Sequence, residues 1–158
     1  MGVRNYPDTP RVYFDFDGTL GDFIGAAKAQ GMEPSQFKRV AGAYRHLPLI
    51  AGAAEAIARV EALGLQPWGL TKIPASNPYS ATEKLLWTME LIPSLHDKVI
   101  ISPDKGAVGS ARDFLVDDMP QWANAKNFPG TLIHFKGDWE PVFEIILSKL
   151  GRVELPTK

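Results

Sequence analysis

The chain carries two aspartates one residue apart, directly after an apolar run. Residues 12–19 read Val-Tyr-Phe-Asp-Phe-Asp-Gly-Thr, so Asp15, Asp17 and Gly18 lie at the end of this run. Because burying an ionised carboxylate alone is costly, the pattern indicates either an ordinary Asp-Gly turn or a site that receives a positive charge. Side chains two residues apart in a strand project from one face, so we expect the two carboxylates to point the same way.

Later apolar runs of the chain also end in polar residues. Thr71 follows one run, Lys105 lies a few residues after the next, and the pair Asp117-Asp118 ends a third. In an open α/β sheet, ligands bind beyond the carboxyl ends of the strands. We therefore expect these side chains to gather with the first two aspartates at one edge of a sheet.

The charges of this group predict a bound cation. Asp15, Asp17 and Asp117 contribute three negative charges if ionised, and Lys105 returns one positive charge. Carboxylates held close together cannot all stay ionised without a cation. Oxygen ligands without His or Cys suit a hard divalent ion, and Mg²⁺ is the natural choice because it retains waters and phosphate oxygens. Such a site could accept a phosphate dianion.

A phosphate at this position has an evident reaction. One carboxylate attacks phosphorus to form an aspartyl phosphate, which splits a difficult step into two. A second carboxylate protonates the leaving alkoxide and then activates the water that hydrolyses the intermediate. Gly18 would allow the backbone to approach the phosphate, while Thr71 would donate its hydroxyl and Lys105 would neutralise charge in the transition state.

The composition indicates a folded domain without a strong overall charge. The 158 residues fit one domain, and 45% apolar and 22% charged residues are close to globular averages. The 17 basic and 18 acidic residues leave a net charge of −1, which gives no reason to expect a nucleic acid polymer or a membrane as partner. Any attraction for an anion must therefore be local.

Cysteine is absent, which excludes disulfides, thiolate zinc sites and cysteine nucleophiles. The first residues lack the apolar core of a signal peptide, and the longest apolar runs are too short to span a bilayer. From these features we expect a cytoplasmic protein.

Strand-like and helix-like stretches alternate from residue 11 onward. This alternation predicts a Rossmann-like three-layer α/β sandwich with a central parallel five-stranded sheet. Helices are predicted at 53–63, at 120–128, after Asp138, and after Ser80, where we expect Leu85, Leu86, Met89 and Ile92 to face inward. Strands are predicted at 11–16, 65–70 (ending at Thr71), 98–101, 113–116 and 131–135.

Residues 20–50 interrupt the alternation. Gly31 and Pro34 divide them into two short helices, and Phe37 and Tyr44 lie on one helical face. We interpret the segment as a small helical cap insertion within a single domain that spans 1–158. Its aromatic residues are expected to pack the insertion's own core, with contact to a substrate base or sugar as the open alternative.

Four motifs in order resemble those of haloacid dehalogenase-like phosphatases. They are Asp15-Phe-Asp-Gly-Thr19, Thr71 after an apolar strand, Lys105, and Asp117-Asp118. Within that superfamily, the stretch from Leu70-Thr-Lys-Ile-Pro74 to Glu83-Lys84 and Trp87 resembles the 5′(3′)-deoxyribonucleotidase branch, as does Asp104-Lys105.

The resemblance implies a role for each acidic residue. Asp15 would be the nucleophile and a magnesium ligand. Asp17 would be the general acid and base, and would give magnesium its backbone carbonyl. Asp117 would be the third protein ligand of the metal, and Asp118 would orient that ligand or a metal-bound water.

The resemblance also implies which residues hold the phosphate and what the substrate is. Thr71 and Lys105 would bind the phosphoryl group on Asp15, and we count Gly18 and Lys72 among the candidate phosphate-binding residues. The substrate would be a small nucleotide-like monophosphate. A phosphotransferase on the same site and a non-catalytic regulatory module that binds phosphate and Mg²⁺ are the alternatives. Because the insertion is short, either a large substrate enters an open cleft or a partner subunit covers it.

Overall fold

A computed structural model describes residues 6–152 and contains one five-stranded sheet. All strand pairs are parallel, and the strand order is β3-β2-β1-β4-β5. The predicted Rossmann-like α/β fold with a central parallel sheet is therefore confirmed. The strands are β1 (Arg11–Phe14), β2 (Gln66–Thr71), β3 (Val99–Ile101), β4 (Phe114–Asp117) and β5 (Thr131–His134).

Helices and short 3-10 turns connect the strands. The helices are α1 (Phe23–Ala29), α2 (Pro34–Phe37), α3 (Ala53–Ala62), α4 (Ser80–Leu91) and α5 (Glu140–Leu150), and the 3-10 turns cover Pro93–Leu95, Lys105–Ala107 and Ala125–Asn127. None of the helices within residues 6–152 has the length and apolar character that a bilayer crossing requires.

Both faces of the sheet are buried, as the apolar strands predict. Along β1, Val12 and Phe14 contribute to one apolar cluster while Tyr13 contributes to the other, which is the alternation of a strand. The larger cluster contains the inner faces of α3 and α5, and the smaller one is completed by Ala125 and Phe128. The central strands therefore form a buried base for the loops at their carboxyl ends.

Strand β1 ends at Phe14, two residues earlier than the sequence predicts. Asp15 still donates its backbone N–H to the Val116 carbonyl at 2.9 Å, but the chain then turns, and Leu20 and Gly21 donate to the Phe16 carbonyl at 2.9 Å each. The two aspartates therefore lie on a tight loop rather than on a strand. The strand periodicity on which their common direction was expected therefore does not apply to them.

Helix α4 buries a different face from the predicted one. Leu85, Leu86 and Met89 are exposed, and Ile92 is buried just beyond the helix end. The buried face is instead formed by Ser80, Lys84, Trp87 and Thr88. The inward prediction for the three exposed residues was wrong because the buried face makes polar contacts: the Trp87 Nε1–H donates to the Leu47 carbonyl at 2.7 Å, and Lys84 has three acceptors nearby.

The predicted helix at 120–128 is reduced to the 3-10 turn at Ala125–Asn127. Ala123 and Asn124 have positive φ angles of 53° and 55°, which interrupt a right-handed helix. The last helix begins as predicted near Asp138, whose Oδ1 accepts a hydrogen bond from the Glu140 N–H at 3.1 Å.

The segment at 20–50 contains two short helices, α1 and α2, separated at Gly31. Phe23 stacks on Tyr44 with a centroid distance of 5.0 Å and lies 5.2 Å from Phe37. All three rings are buried. They pack against one another and belong to the larger apolar cluster on one face of the sheet, so the core expected for the insertion is continuous with that of the sheet.

Candidate active site

The candidate site lies at the carboxyl ends of three neighbouring strands. β1 lies between β2 and β4 in the sheet, so Asp15 follows the central strand while Thr71 and Asp117 end the strands on either side of it. This is the edge at which open α/β sheets bind ligands. The predicted gathering of polar residues at one edge is present.

Three aspartates form a cluster that could hold a metal ion. One carboxylate oxygen from each of Asp15, Asp117 and Asp118 lies within 4.8 Å of the other two. The Met119 N–H donates to Asp117 Oδ1 at 2.8 Å, and the Thr19 hydroxyl donates to Asp118 Oδ1 at 3.2 Å. A set of carboxylate oxygens in this arrangement suits a hard divalent cation.

The electrostatics of the cluster favour a cation. Burial and the nearby charge of Asp15 raise the pKa of Asp117 above its usual range, although Lys105 opposes this shift. Burial and the same Asp15 charge raise the pKa of Asp118 to about 7. At both carboxylates the raised pKa favours the protonated form, and a divalent ion would compete with those protons. The residues therefore fit the predicted metal.

Lys105 is buried between two of these carboxylates. Its ammonium donates to Asp15 Oδ1 at 2.8 Å and to Asp117 Oδ2 at 2.7 Å. Burial lowers the pKa of Lys105, but the charges of Asp15 and Asp117 outweigh burial and raise it. Since an ammonium has three N–H groups, one of them has no acceptor among residues 6–152 and remains for a further partner.

Asp17 lies apart from the cluster formed by the other three aspartates. Its Oδ2 receives an ion pair from Lys84 Nζ at 3.3 Å, and its Oδ1 is buried without a hydrogen-bond partner among residues 6–152. The loop thus gives Asp15 and Asp17 different surroundings. Such a difference is what two carboxylates with different tasks require.

Lys84 is a site residue that the sequence analysis missed. There, Glu83-Lys84 served only to show the resemblance to one branch of the superfamily, and Lys84 was given no role in the site. The Lys84 ammonium donates to the Thr71 hydroxyl at 2.8 Å and to the Lys72 carbonyl at 2.9 Å, besides Asp17. A signal was present: Ser80, Lys84 and Thr88 recur every four residues and form a polar stripe on one helix face.

The remaining predicted phosphate-binding residues have distinct positions. Thr71 is buried at the end of β2, whereas the Lys72 side chain is exposed and forms no ion pair within the described part of the chain. It is the Lys72 carbonyl that takes part in the site. Gly18 has a φ of 84°, and a Cβ there would lie 2.1 Å from Asp118 Oδ2, so this position requires glycine to accommodate that carboxylate.

Comparison with known proteins shows the fold. No family model matches the sequence, and no curated protein matches it. Solved structures do match: a haloacid dehalogenase-like family hydrolase from Xanthomonas campestris has a TM-score of 0.59 and 13% identity over 95% of this chain and 97% of its own. A hydrolase of the same superfamily from Ehrlichia chaffeensis has a TM-score of 0.52 and 14% identity over 92% of this chain and all of its own.

A third similar structure is a hydrolase of this superfamily from Deinococcus radiodurans R1, which contains bound phosphate and sodium. Its TM-score is 0.52, with 16% identity over 91% of this chain and 89% of its own. These likenesses show that the chain has the fold of haloacid dehalogenase-like hydrolases, which the motifs indicated. The 5′(3′)-deoxyribonucleotidase branch stays a prediction.

Proposed function

We propose that the protein is a magnesium-dependent phosphomonoester hydrolase that acts through an aspartyl phosphate on Asp15. The observation that carries the proposal is the cluster of Asp15, Asp117 and Asp118, the first two of which are ion-paired with a buried lysine, at the ligand-binding edge of this fold. The hydrolase names of the three similar structures, and the phosphate bound to one of them, support the same reaction class.

Asp15 is the proposed nucleophile. The Lys105 ammonium donates to its Oδ1 at 2.8 Å, which orients the carboxylate. A carboxylate oxygen attacks phosphorus and forms a P–O bond, and the bond from phosphorus to the substrate oxygen breaks with its electron pair on that oxygen. The free N–H of Lys105 and the hydroxyl of Thr71 then donate to phosphoryl oxygens.

Asp15, Asp117 and Asp118 are the proposed ligands of Mg²⁺, with the backbone carbonyl of Asp17 as a further ligand. When bound, the ion offsets the negative charge of the carboxylates and of the phosphoryl group. Asp118 accepts a hydrogen bond from Thr19, which fixes the orientation of its carboxylate. The cluster thus brings its ligand oxygens together before substrate arrives.

Asp17 is the proposed general acid and base. Its carboxylate is outside the metal cluster and is ion-paired with Lys84. In its protonated form Asp17 gives its proton to the leaving alkoxide. The resulting carboxylate takes a proton from the water that attacks phosphorus, and the bond between phosphorus and the Asp15 oxygen breaks to release phosphate. The proposed substrate is a small nucleotide-like monophosphate, in keeping with the resemblance of the motifs.

The test is phosphate release from p-nitrophenyl phosphate and from a panel of nucleoside monophosphates, with Mg²⁺ and with a chelator. We expect turnover with Mg²⁺ only, and a loss of about 10³-fold or more in Asp15→Asn, since this change removes the nucleophile. Equal turnover by the wild type and Asp15→Asn would overturn the proposal. Added alcohols or nucleosides that become phosphorylated would indicate a phosphotransferase instead.

A further inference from the structure

Lys84 differs from an ordinary phosphate-binding lysine in the number of its acceptors. The ammonium has three N–H groups, and three protein oxygens lie around it, at 2.8 Å for Thr71 Oγ1, 2.9 Å for the Lys72 carbonyl and 3.3 Å for Asp17 Oδ2. Its side chain is only 2% exposed. All of its donors therefore have partners within the protein, and none remains for a phosphoryl oxygen.

The insertion contacts the same ammonium through an aromatic ring. The Tyr44 ring lies 4.8 Å from Lys84 Nζ, a cation–π distance. Tyr44 is held by its own N–H, which donates to Glu83 Oε1 at 3.0 Å. Burial, followed by the charges of Asp17 and Glu83, raises the pKa of Tyr44, so the phenol stays neutral beside the ammonium.

Helix α4 and the segment before it fasten the insertion at further points. The Trp87 Nε1–H donates to the Leu47 carbonyl at 2.7 Å. The other contacts are Asn77 Nδ2 to the Lys38 carbonyl at 3.1 Å and the Arg45–Glu90 ion pair at 2.7 Å. Glu83, Lys84 and Trp87 thus join the insertion to the site within a little more than one helical turn.

We propose that Lys84 is a positioning residue, held in place by Tyr44 of the insertion, that orients the Asp17 carboxylate and the Thr71 hydroxyl for proton transfer and phosphate binding. This inference rests on the proposed function. Asp17 Oδ1 has no partner in the described residues, so the contact from Lys84 to Oδ2 is the side-chain contact that fixes this carboxylate. The Thr71 oxygen accepts from Lys84, and its own hydrogen donates to the Lys72 carbonyl at a long 3.3 Å, a contact that a phosphoryl oxygen would replace.

Alkyl and aryl phosphates should respond differently to the loss of Lys84, because their leaving groups differ in the need for a proton. An alkoxide needs a proton as it leaves, whereas p-nitrophenolate leaves without one. Loss of orientation at Asp17 should therefore slow alkyl phosphates much more than aryl phosphates. A residue that bound the phosphoryl group itself would affect both substrate classes equally.

The test compares Lys84→Met with the wild type on an alkyl phosphate and on p-nitrophenyl phosphate. Release of the alcohol is followed in a single turnover, so that hydrolysis of the shared aspartyl phosphate does not mask the first step. We expect a loss of about 10²-fold for the alkyl substrate and about tenfold or less for the aryl substrate. Asp17→Asn should change the alkyl-to-aryl ratio in the same direction, and Lys149→Met, an exposed lysine on α5, should leave it unchanged.

Equal losses on both substrates in Lys84→Met would overturn the inference, and so would a ratio indistinguishable from that of Lys149→Met. If Lys84→Met does not fold, as judged by circular dichroism, Tyr44→Leu replaces it, with Tyr44→Phe as the conservative variant that keeps the ring. Tyr44→Leu should shift the ratio in the same direction and Tyr44→Phe should restore it; no shift would overturn the inference.

The failure of this inference is distinguishable from that of the proposed function. A wild-type protein that is as inactive as Asp15→Asn on every substrate overturns the proposed hydrolase, and the inference with it. An active wild type with equal losses in Lys84→Met overturns only the role of Lys84.

Discussion

The two buried lysines of the site lie in contrasting surroundings. Lys105 comes from a 3-10 turn and lies between the carboxylates of Asp15 and Asp117, while Lys84 comes from the middle of a long helix and faces one carboxylate and two neutral oxygens. Within the described part of the chain, Lys105 has two acceptors for its three N–H groups, whereas Lys84 has three. The difference suggests that one lysine supplies charge to the reaction and the other supplies geometry.

Different parts of the chain also hold the two lysines in place. The Lys105 backbone N–H donates to the Ala123 carbonyl at 2.8 Å, so its position depends on the loop that follows β4. Lys84 depends on α4 and on the insertion, through Tyr44. Changes in the insertion should therefore affect one lysine and leave the other in place.

The largest effect that tests this contrast is expected for Lys105→Met. We expect a loss of about 10³-fold in kcat/KM on alkyl and aryl phosphates alike, because the change removes a fixed charge from the phosphoryl group in the transition state. Steady-state kinetics on both substrates measure it, with Lys84→Met as the comparison. A loss restricted to alkyl phosphates in Lys105→Met would remove the distinction between the two lysines.

The same two variants should differ in stability. Lys105→Met leaves two carboxylates without their ammonium and should lower the free energy of unfolding by about 3–5 kcal/mol. Lys84→Met leaves Asp17, which is 32% exposed, and two neutral acceptors, so we expect about 1–3 kcal/mol. Urea unfolding of the metal-free proteins measures both, with Lys149→Met as control. The opposite order would contradict our view of how each charge is balanced.

A third prediction concerns Thr71, which both accepts from Lys84 and is expected to bind phosphate. Thr71→Val should lower kcat/KM by about 10²-fold, because one donor to the phosphoryl group is lost. It should also lower the free energy of unfolding by about 1–3 kcal/mol, because one buried N–H of Lys84 loses its acceptor. Thr71→Ser keeps the hydroxyl and should preserve most of both. Full activity in Thr71→Val would exclude the hydroxyl from phosphate binding.

The smallest effect is expected from pH. The pKa of Asp118 in the folded protein is raised to about 7, above the usual unfolded value of about 3.9. The folded state therefore binds more protons than the unfolded chain between about pH 4 and 7. The free energy of unfolding of the metal-free protein should fall as pH rises through this window.

With Mg²⁺ bound, the free energy of unfolding should instead rise with pH, because the ion displaces the proton from Asp118. Its affinity, measured by calorimetry, should weaken by up to about tenfold per pH unit as the pH falls below 7. Asp118→Asn, which has no carboxylate to protonate, provides the control and should lose much of this dependence. An Mg²⁺ affinity that is the same at about pH 5 and about pH 8, on the two sides of the pKa of Asp118, would contradict the prediction.

The sequence predicted the residues that lie at strand ends and missed the one inside a helix. Asp15, Thr71 and Asp117 could be placed together because parallel strands end at one edge of a sheet. Lys84 could not, because the apolar residues of α4 suggested that Leu85 and Met89 faced inward. Only tertiary contacts, with Thr71 and with the insertion, reveal that the polar stripe of this helix is the buried one.

Local chain geometry limited the other predictions. The end of β1 depends on backbone hydrogen bonds to the Phe16 carbonyl, which a pattern of apolar residues does not reveal. The helix expected at 120–128 fails where Ala123 and Asn124 take positive φ angles, and the packing of Phe128 accompanies this turn. Neither residue type signals such a conformation strongly, although Asn is among those that tolerate it.

The central claim is that Asp15 carries the phosphoryl group during the reaction. The most direct test is acid quenching of Asp17→Asn after mixing with Mg²⁺ and radiolabelled p-nitrophenyl phosphate, because this variant should form the intermediate and hydrolyse it slowly. We predict that the label is recovered on the peptide that contains Asp15 and is absent when Mg²⁺ is removed. Label on another residue, or phosphate release by the wild type with no labelled protein in the variant, would contradict the account.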